Sequence, residues 1–176
     1  MKLIKSFFKV ALITAVFASC SKEGPAGTAG KDGNPTVFYS DWLPTGTVTA
    51  GTVDGNAGNL FTLVEPKLTQ DILDRGAVLV YLQISTGSDF TSLPLPYITG
   101  AGGGANTIAY YPRLGEIKIL RFKNDGTNGA INLTSTWKWR YILIPGGTKT
   151  TAKNATTPNF NEMSYFEVCS YFNIKP

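Results

Sequence analysis

The stretch "WKWRYIL", residues 137–143, alternates aromatic or aliphatic side chains with cationic ones. Successive side chains of a β-strand point to opposite faces, so this period of two predicts a strand with one apolar face. Large aromatic side chains contribute strongly to the cores of β-sandwiches, and this face is therefore predicted to be buried. It carries Trp137, Trp139, Tyr141 and Leu143, whereas the cations Lys138 and Arg140 lie on the opposite face.

Two further stretches predict strands of different kinds. Residues 77–84, "AVLVYLQI", are apolar in both phases, which is typical of a central strand covered on both faces. Residues 115–123, "GEIKILRFK", change their apolar phase in the middle, which predicts a bulge near Ile119 and Leu120. Shorter strands are predicted at residues 37–43, 60–64, 95–98, 107–111 and 130–134.

Segments rich in Asp, Asn, Gly and Pro separate these strands, as at residues 54–56, 125–126 and 145–147. Such residues supply the backbone conformations that tight turns need. About eight short strands with this punctuation predict a mainly β fold, namely an antiparallel β-sandwich or jelly-roll-like domain.

Two short helices are predicted within this domain, at about residues 69–75 and 164–173. In the first, Thr69 is the expected N-cap and Gly76 the expected left-handed end, and Asp71 and Arg75 are spaced to pair. In the second, Ser164 and Glu167 fit a capping box. Its apolar residues at helical spacing are Tyr165, Val168, Cys169 and Phe172, with Cys169 expected to be a small buried apolar residue.

The first 19 residues have the three-part layout of a secretory signal peptide. Lys2 and Lys5 form a charged start, an apolar run follows from Phe7 to Phe17, and small residues lead to Cys20. The apolar run is shorter than the roughly 20 residues that a transmembrane helix needs. The alternative to a specialised leader is an ordinary secretory signal, with Cys20 left as a free thiol.

Phe17-Ala18-Ser19-Cys20 resembles the lipobox of bacterial lipoproteins, in the relaxed form found in Bacteroidetes-type lipoproteins, with Phe17 where Leu is usual. In that family the peptide is cut before the cysteine, which then carries the lipid. The resemblance therefore implies that Cys20 is lipidated and that residues 1–19 are a lipoprotein signal peptide.

Residues 24–35 form four Gly-X-Y triplets in register. Collagen requires glycine at every third position, but a stable triple helix depends on long unbroken repeats. A single chain of this composition is predicted to be an extended tether that reaches at most about 35–40 Å. Trimerisation through the repeat is the alternative.

A lipidated cysteine, a short GPAG-type spacer and a β-rich domain together resemble small cell-envelope lipoproteins of the Bacteroidetes type. The resemblance implies a lipid anchor in the cell envelope and no particular activity. The expected membrane is the outer one, and both its periplasmic and its surface-exposed side remain as alternatives. It divides the chain into a signal peptide (1–19), the lipidated cysteine with its collagen-like tether (20–35) and a β-sandwich domain (36–176).

Charge and composition exclude several functional classes. The net charge of +4 falls to +1 without residues 1–19, so basicity does not indicate a nucleic-acid partner. The chain has no histidine, which excludes Ser-His-Asp and Cys-His catalysis and most zinc and iron sites.

The glycine-rich residues 100–105 match the G-x-G-x-x-G/A dinucleotide-binding motif in spacing only, because strand-like residues and Pro112 follow them instead of a helix. A mobile glycine loop is predicted there, with no metal and no cofactor.

The sequence therefore favours a non-catalytic binding or structural module at the envelope. It does not identify the ligand, and a glycan and a protein are the two candidate partners. The first alternative is a carbohydrate-binding accessory lipoprotein that uses Tyr97, Tyr110 and Tyr111, with Tyr110 or Tyr111 exposed near the glycine loop. The second alternative is a histidine-free glycosidase, which needs two facing carboxylates. Its candidates are Asp41, Glu65, Asp89, Glu116 and Glu162.

Overall fold

The strand predicted from the alternating stretch is present as β10, which runs from Lys138 to Ile144. The structure, a computed structural model, describes residues 36–86, 88–101, 103–127, 131–146 and 158–176. The predicted signal peptide and tether lie outside these residues. The other elements are β1 Phe38–Tyr39, β2 Leu43–Pro44, β3 Thr49–Val53, β4 Asn56–Val64, α1 Gln70–Arg75, β5 Ala77–Thr86, β6 Asp89–Pro94, β7 Tyr97–Thr99, β8 Asn106–Arg113, β9 Glu116–Lys123 and α2 Tyr165–Phe172.

The strands form two antiparallel sheets. In the first sheet, β10 pairs with β5 on one side and with both β1 and β2 on the other, and β6 adds to the far side of β5. The second sheet has the order β3-β4-β9-β8-β7. The predicted mainly β sandwich with two short helices is therefore confirmed.

The main core lies between the two sheets. The face of β10 that carries Trp139, Tyr141 and Leu143 packs there, as the alternation predicted. Trp139 is wholly buried, and its ring centroid lies 5.2 Å from that of Phe61 on the opposite sheet. The same core receives Val80 and Leu82 from β5, Ile117 and Ile119 from β9, and Leu68 and Ile72 from the α1 region.

A second core covers the other face of the first sheet. Leu79 and Tyr81 of β5 pack there against α2, and Ile142 and Ile144 of β10 join them. The strand β5 is thus covered on both faces, which confirms the reading of its uninterrupted apolar run. Cys169 of α2 is fully buried in this core, as expected, and burial raises the pKa of its thiol.

Helix α1 links the second sheet to the first. The Thr69 side chain accepts a hydrogen bond from the Ile72 amide at 3.4 Å, and Arg75 pairs with Asp71, so the predicted cap and ion pair are confirmed. The predicted left-handed end at Gly76 is wrong, because its φ is −99° and its ψ is −160°. Glycine is needed there for another reason: a Cβ would lie 2.3 Å from the Ile144 carbonyl oxygen.

Helix α2 begins at the predicted capping box. The Ser164 hydroxyl accepts from the Glu167 amide at 3.3 Å, and the Glu167 carboxylate accepts from the Ser164 amide at 2.7 Å. The helix ends at Asn173, which adopts the left-handed conformation with φ 54°. Asparagine tolerates this conformation better than most residues, so it takes the place that glycine often holds.

Two predictions about the strands are wrong, one for residues 130–134 and one for β9. The described part of the predicted strand 130–134 is irregular, because its carbonyl groups bond to side chains instead of a neighbouring strand: Asn59 donates to Ile131 O at 3.3 Å, and Arg121 donates to Asn132 O at 2.7 Å. The predicted bulge in β9 is absent, since Leu120 pairs regularly with Leu60 and Ala109. The apparent phase change arises because Arg121 occupies a core-facing position of β9.

Strand boundaries differ at the edges of the sheets. The predicted strand 37–43 is two short strands, β1 and β2. The predicted strand 95–98 begins only at Tyr97, because Leu95 and Pro96, joined by a cis peptide bond, carry the chain from β6 in the first sheet to β7 in the second. The edge strands β3 and β6 were not predicted, since their sequences are polar and largely exposed.

Candidate functional site

Two adjacent clefts share Tyr110 and Asn161 as wall residues, and together they form the candidate functional site. The enclosed cleft has a volume of about 180 Å³, and the more open one about 500 Å³. Walls that combine apolar and aromatic side chains with polar groups are typical of ligand sites. The enclosed cleft is also lined by Leu79, Tyr81, Pro94, Pro96, Phe160 and Met163, and the open one by Ile72, Leu73, Ala77, Val78 and Pro112.

Tyr110 stands between the two clefts because of its place on β8. It shares the inner face of the second sheet with Ile108, two residues earlier, and packs against the main core. Its hydroxyl donates a hydrogen bond to the Val78 carbonyl oxygen at 2.7 Å, which ties the second sheet to β5 of the first. Burial raises the pKa of Tyr110, so the side chain offers a ligand a neutral aromatic wall.

Asn161 supplies the polar group of the site. It lies in a turn just before α2, where the amide of Glu162 donates to the carbonyl oxygen of Asn159 at 3.0 Å. The backbone amide of Asn161 donates to the Asn159 side chain, while its own side chain is exposed and bonds to none of the described residues. An amide with a free donor and a free acceptor beside an aromatic wall can orient a polar ligand.

The three tyrosines predicted as ligand contacts are not brought together. Tyr97 on β7 lies opposite Ile108 and packs against the main core. Tyr111 lies on the outer face of the second sheet, opposite Lys118, with its side chain half-buried. Only Tyr110 lines the clefts. The ligand-binding role of the three side chains stays a prediction, but they do not form one continuous surface.

The glycine loop lies away from Tyr110. Tyr110 is four residues along β8 from Asn106, or roughly 13 Å at the usual rise of a strand. The loop is also fastened: the Asn106 side chain donates to the carbonyl oxygens of Thr99, Ala101 and Gly104 at 2.8–3.0 Å. Arg121 donates a further hydrogen bond to Ala101 O at 2.7 Å.

The candidate carboxylates do not line the described clefts. Glu65 accepts hydrogen bonds from the Tyr141 hydroxyl and from the Lys67 amide, the latter at 2.8 Å. Glu116 pairs with Lys118 at 3.4 Å. Within the described ranges, no group of three or more Cys, Asp or Glu side chains is placed to hold a metal ion.

Sequence reasoning missed Asn161 and its neighbour Phe160. The cleft joins β5, the β6–β7 crossing, β8 and the turn before α2, which are far apart in the chain. No local spacing indicates such a meeting of segments. The one available signal was the pair of aromatic and amide residues in "NFNEM", residues 159–163, directly before a predicted helix.

Buried tyrosines make the fold sensitive to alkaline pH. Burial raises the pKa values of Tyr81, Tyr141 and Tyr165, that of Tyr165 to about 12. A raised folded-state pKa gives stability that is complete below the unfolded pKa of about 10 and is lost as pH rises through the folded value. We therefore expect the melting temperature to fall between about pH 10 and 12, and to fall less in Tyr165→Phe. A melting series by circular dichroism checks this, and an unchanged midpoint at pH 12 would contradict it.

Among the described residues, no helix has the length and apolarity required to cross a membrane. Comparison of the chain with protein-family models, with curated proteins and with solved structures finds no match.

Proposed function

We propose that the protein is a lipid-anchored lipoprotein of the bacterial cell envelope, at the outer membrane, whose β-sandwich is a non-catalytic binding or structural module. The observation that carries this proposal is the order of residues 1–35: a charged and apolar leader, small residues, Cys20 and a Gly-X-Y spacer. The lipobox-like segment ends directly at Cys20, which is the residue that the proposed lipid modifies.

The proposed anchor is strong enough to hold the domain at a bilayer. Each buried CH₂ group of an acyl chain contributes about 0.8 kcal/mol, so one chain binds reversibly and two or three bind durably. The spacer of residues 24–35 gives the domain a reach of at most about 35–40 Å. The module is therefore held close to the membrane with freedom to meet a glycan or protein partner.

A binding role agrees with the chemistry of the clefts. Their described walls are aromatic, aliphatic and amide groups, which recognise a ligand by shape and hydrogen bonding. Catalytic sites instead combine several groups with distinct chemical roles, such as a nucleophile, a base and an oxyanion donor. Because the chain has no histidine, it cannot form the common catalytic triads and dyads that contain one.

Replacement of Cys20 by alanine tests the anchor. In bacterial cells that process lipoproteins, we expect the wild-type protein to incorporate a labelled fatty acid and to sediment with membranes, because the acyl chains are attached to Cys20. Cys20→Ala is expected to lose the label and to appear in the soluble fraction. Label incorporation is followed by fluorography and distribution by fractionation.

Cys169→Ala is the matched control, because it removes the other cysteine of the chain, which is buried in the fold. It should keep both the label and the membrane association. A Cys20→Ala protein that stays fully membrane-bound, or a wild-type protein without acyl groups by mass spectrometry, would overturn the proposed anchor.

A further inference from the structure

Arg140 is a buried cation that fastens three segments of the domain. It is 4% exposed and lies on the face of β10 that is covered by α2. Its Nε donates to the Ser40 carbonyl oxygen at 2.9 Å. Its Nη1 donates to the Tyr165 hydroxyl oxygen at 2.5 Å and to the Lys175 carbonyl oxygen at 2.8 Å. All three acceptors are neutral.

No carboxylate neutralises this guanidinium within the described residues. The ion pairs there join Arg75 to Asp71 and Lys118 to Glu116. Asp41 is exposed and adjacent to Ser40 in the chain, yet it makes no ion pair with Arg140. A buried cation without a counter-ion is costly, and an anion supplied from outside would lower that cost.

One nitrogen of Arg140 remains free to bind such an anion. Nη2 has no acceptor among the described residues. No side-chain nitrogen or oxygen of those residues is both fully enclosed and unpartnered, so Nη2 reaches solvent. Arg121, the other buried arginine, differs in this respect because it bonds through Nε, Nη1 and Nη2.

Three aromatic rings lie around the guanidinium of Arg140. The guanidinium carbon lies 5.3 Å from the ring centroid of Tyr39, and 5.9 Å from those of Trp42 and Tyr165. Tyr39 is 49% exposed, and Phe166, whose ring lies 5.4 Å from Tyr165, is 64% exposed. Part of the aromatic surface around the guanidinium is therefore exposed to water.

We propose that this arginine–aromatic site, formed by Arg140, Tyr39, Trp42 and Tyr165, binds the carboxylate of an acidic sugar. Nη2 donates a charge-assisted hydrogen bond to one carboxylate oxygen, as guanidinium groups commonly do. The sugar ring packs by its C–H groups on the exposed part of Tyr39 and on Trp42. The inference builds on the proposed binding role and is independent of the lipid anchor.

The chemistry favours a carboxylate over a phosphate. One free nitrogen matches the single charge of a carboxylate, whereas a phosphate dianion is usually held by several cationic donors. The exposed carboxylate of Asp41, which follows Ser40 in the chain, would repel a dianion more strongly than a monoanion. The aromatic side chains beside Arg140 in turn favour a carboxylate that is attached to a sugar ring, because the ring can pack against them.

The test compares two sugars that differ in one group. The native protein, purified in detergent, is titrated by calorimetry at low salt with methyl β-D-glucuronide and with methyl β-D-glucoside. We expect the glucuronide to bind at least tenfold more tightly, and Arg140→Met to remove this difference. Arg113→Met, which removes an exposed arginine at the end of β8, should leave the difference unchanged.

A second variant covers the case in which Arg140→Met fails to fold. Tyr39→Leu changes a half-exposed ring and should weaken binding of both sugars without abolishing the preference for the acid. Equal affinities for the two sugars, no binding of the glucuronide, or a preference that survives in folded Arg140→Met would overturn the inference. Equally tight binding of a short peptide with a free C-terminal carboxylate would overturn the assignment to sugars. Fatty-acid labelling of Cys20 is a separate measurement, so failure here leaves the anchor untouched.

Discussion

Trp139→Ala is expected to lower the free energy of unfolding by about 3–5 kcal/mol, the range measured for truncating large buried aromatic residues. The indole is fully buried between the two sheets. It packs at a tilt of 54° against the Phe61 ring and in a T-shaped arrangement with Trp137, whose ring centroid lies 6.1 Å away. Its Nε1 donates to the Thr45 hydroxyl oxygen at 2.9 Å. Alanine leaves a cavity and removes this hydrogen bond from the centre of the sandwich.

Urea denaturation followed by circular dichroism measures this loss. Lys138→Ala is the matched control, since Lys138 is the neighbouring residue of β10 and its side chain is exposed. Substitutions at such surface positions usually change stability by less than about 0.5 kcal/mol. If the midpoint of Trp139→Ala moved no further than that of Lys138→Ala, the assignment of the core between the sheets would be wrong.

Gly58→Ala is expected to destabilise the second sheet by about 3 kcal/mol, at the upper end of the usual cost of overpacking. Gly58 lies in β4 opposite Phe122 of β9. A Cβ at this position would lie 2.1 Å from the Arg121 carbonyl oxygen and 3.1 Å from the Phe122 Cα. Both are backbone atoms of a paired strand, so the contact is relieved only by distorting β4 or β9.

Gly100→Ala provides the control for this substitution. A Cβ there would meet nothing within 4 Å, and the backbone of Gly100 is not left-handed. Replacing glycine by alanine at a compatible position leaves stability unchanged or raises it slightly, because the unfolded chain loses freedom. Equal melting temperatures for the two variants in calorimetry would show that β4 and β9 do not approach as described.

Periodicity alone predicted the centre of this fold well. The alternation in residues 137–143 and the continuous apolar run in residues 77–84 each reflect how many faces of a strand are covered, and β10 and β5 have that environment. The helix N-caps Thr69 and Ser164 were also predictable, because capping depends on residues that are close in the sequence. These features depend on neighbours within a few residues.

The errors arose where distant side chains compete for the backbone. The segment 131–134 alternates like a strand. Its carbonyl groups, however, accept hydrogen bonds from the side chains of Asn59 on β4 and Arg121 on β9. The apparent bulge in β9 came from a buried arginine at a core-facing position. Neither effect is visible without knowing which segments meet.

The candidate site was harder still to predict. Alternation along β8 predicts that Tyr110 and Tyr111 face opposite sides of the sheet, as they do, but it does not show that Tyr110 lines a cleft. Asn161 gained its place only through the packing of its turn beside β5 and β8. The sequence also predicted that Arg140 and the tryptophans occupy opposite faces, yet not that α2 would cover the arginine.

The hydrogen bond from Arg140 to Ser40 O has a mechanical consequence. The described residues begin at Thr36, and the edge strand β1 is held to β10 by two residue pairs. A force applied to the chain on the N-terminal side of β1 would act on this short strand first. Because the Arg140 guanidinium also bonds to Tyr165 and Lys175, we expect it to pass part of such a load to helix α2 and the C-terminal residues.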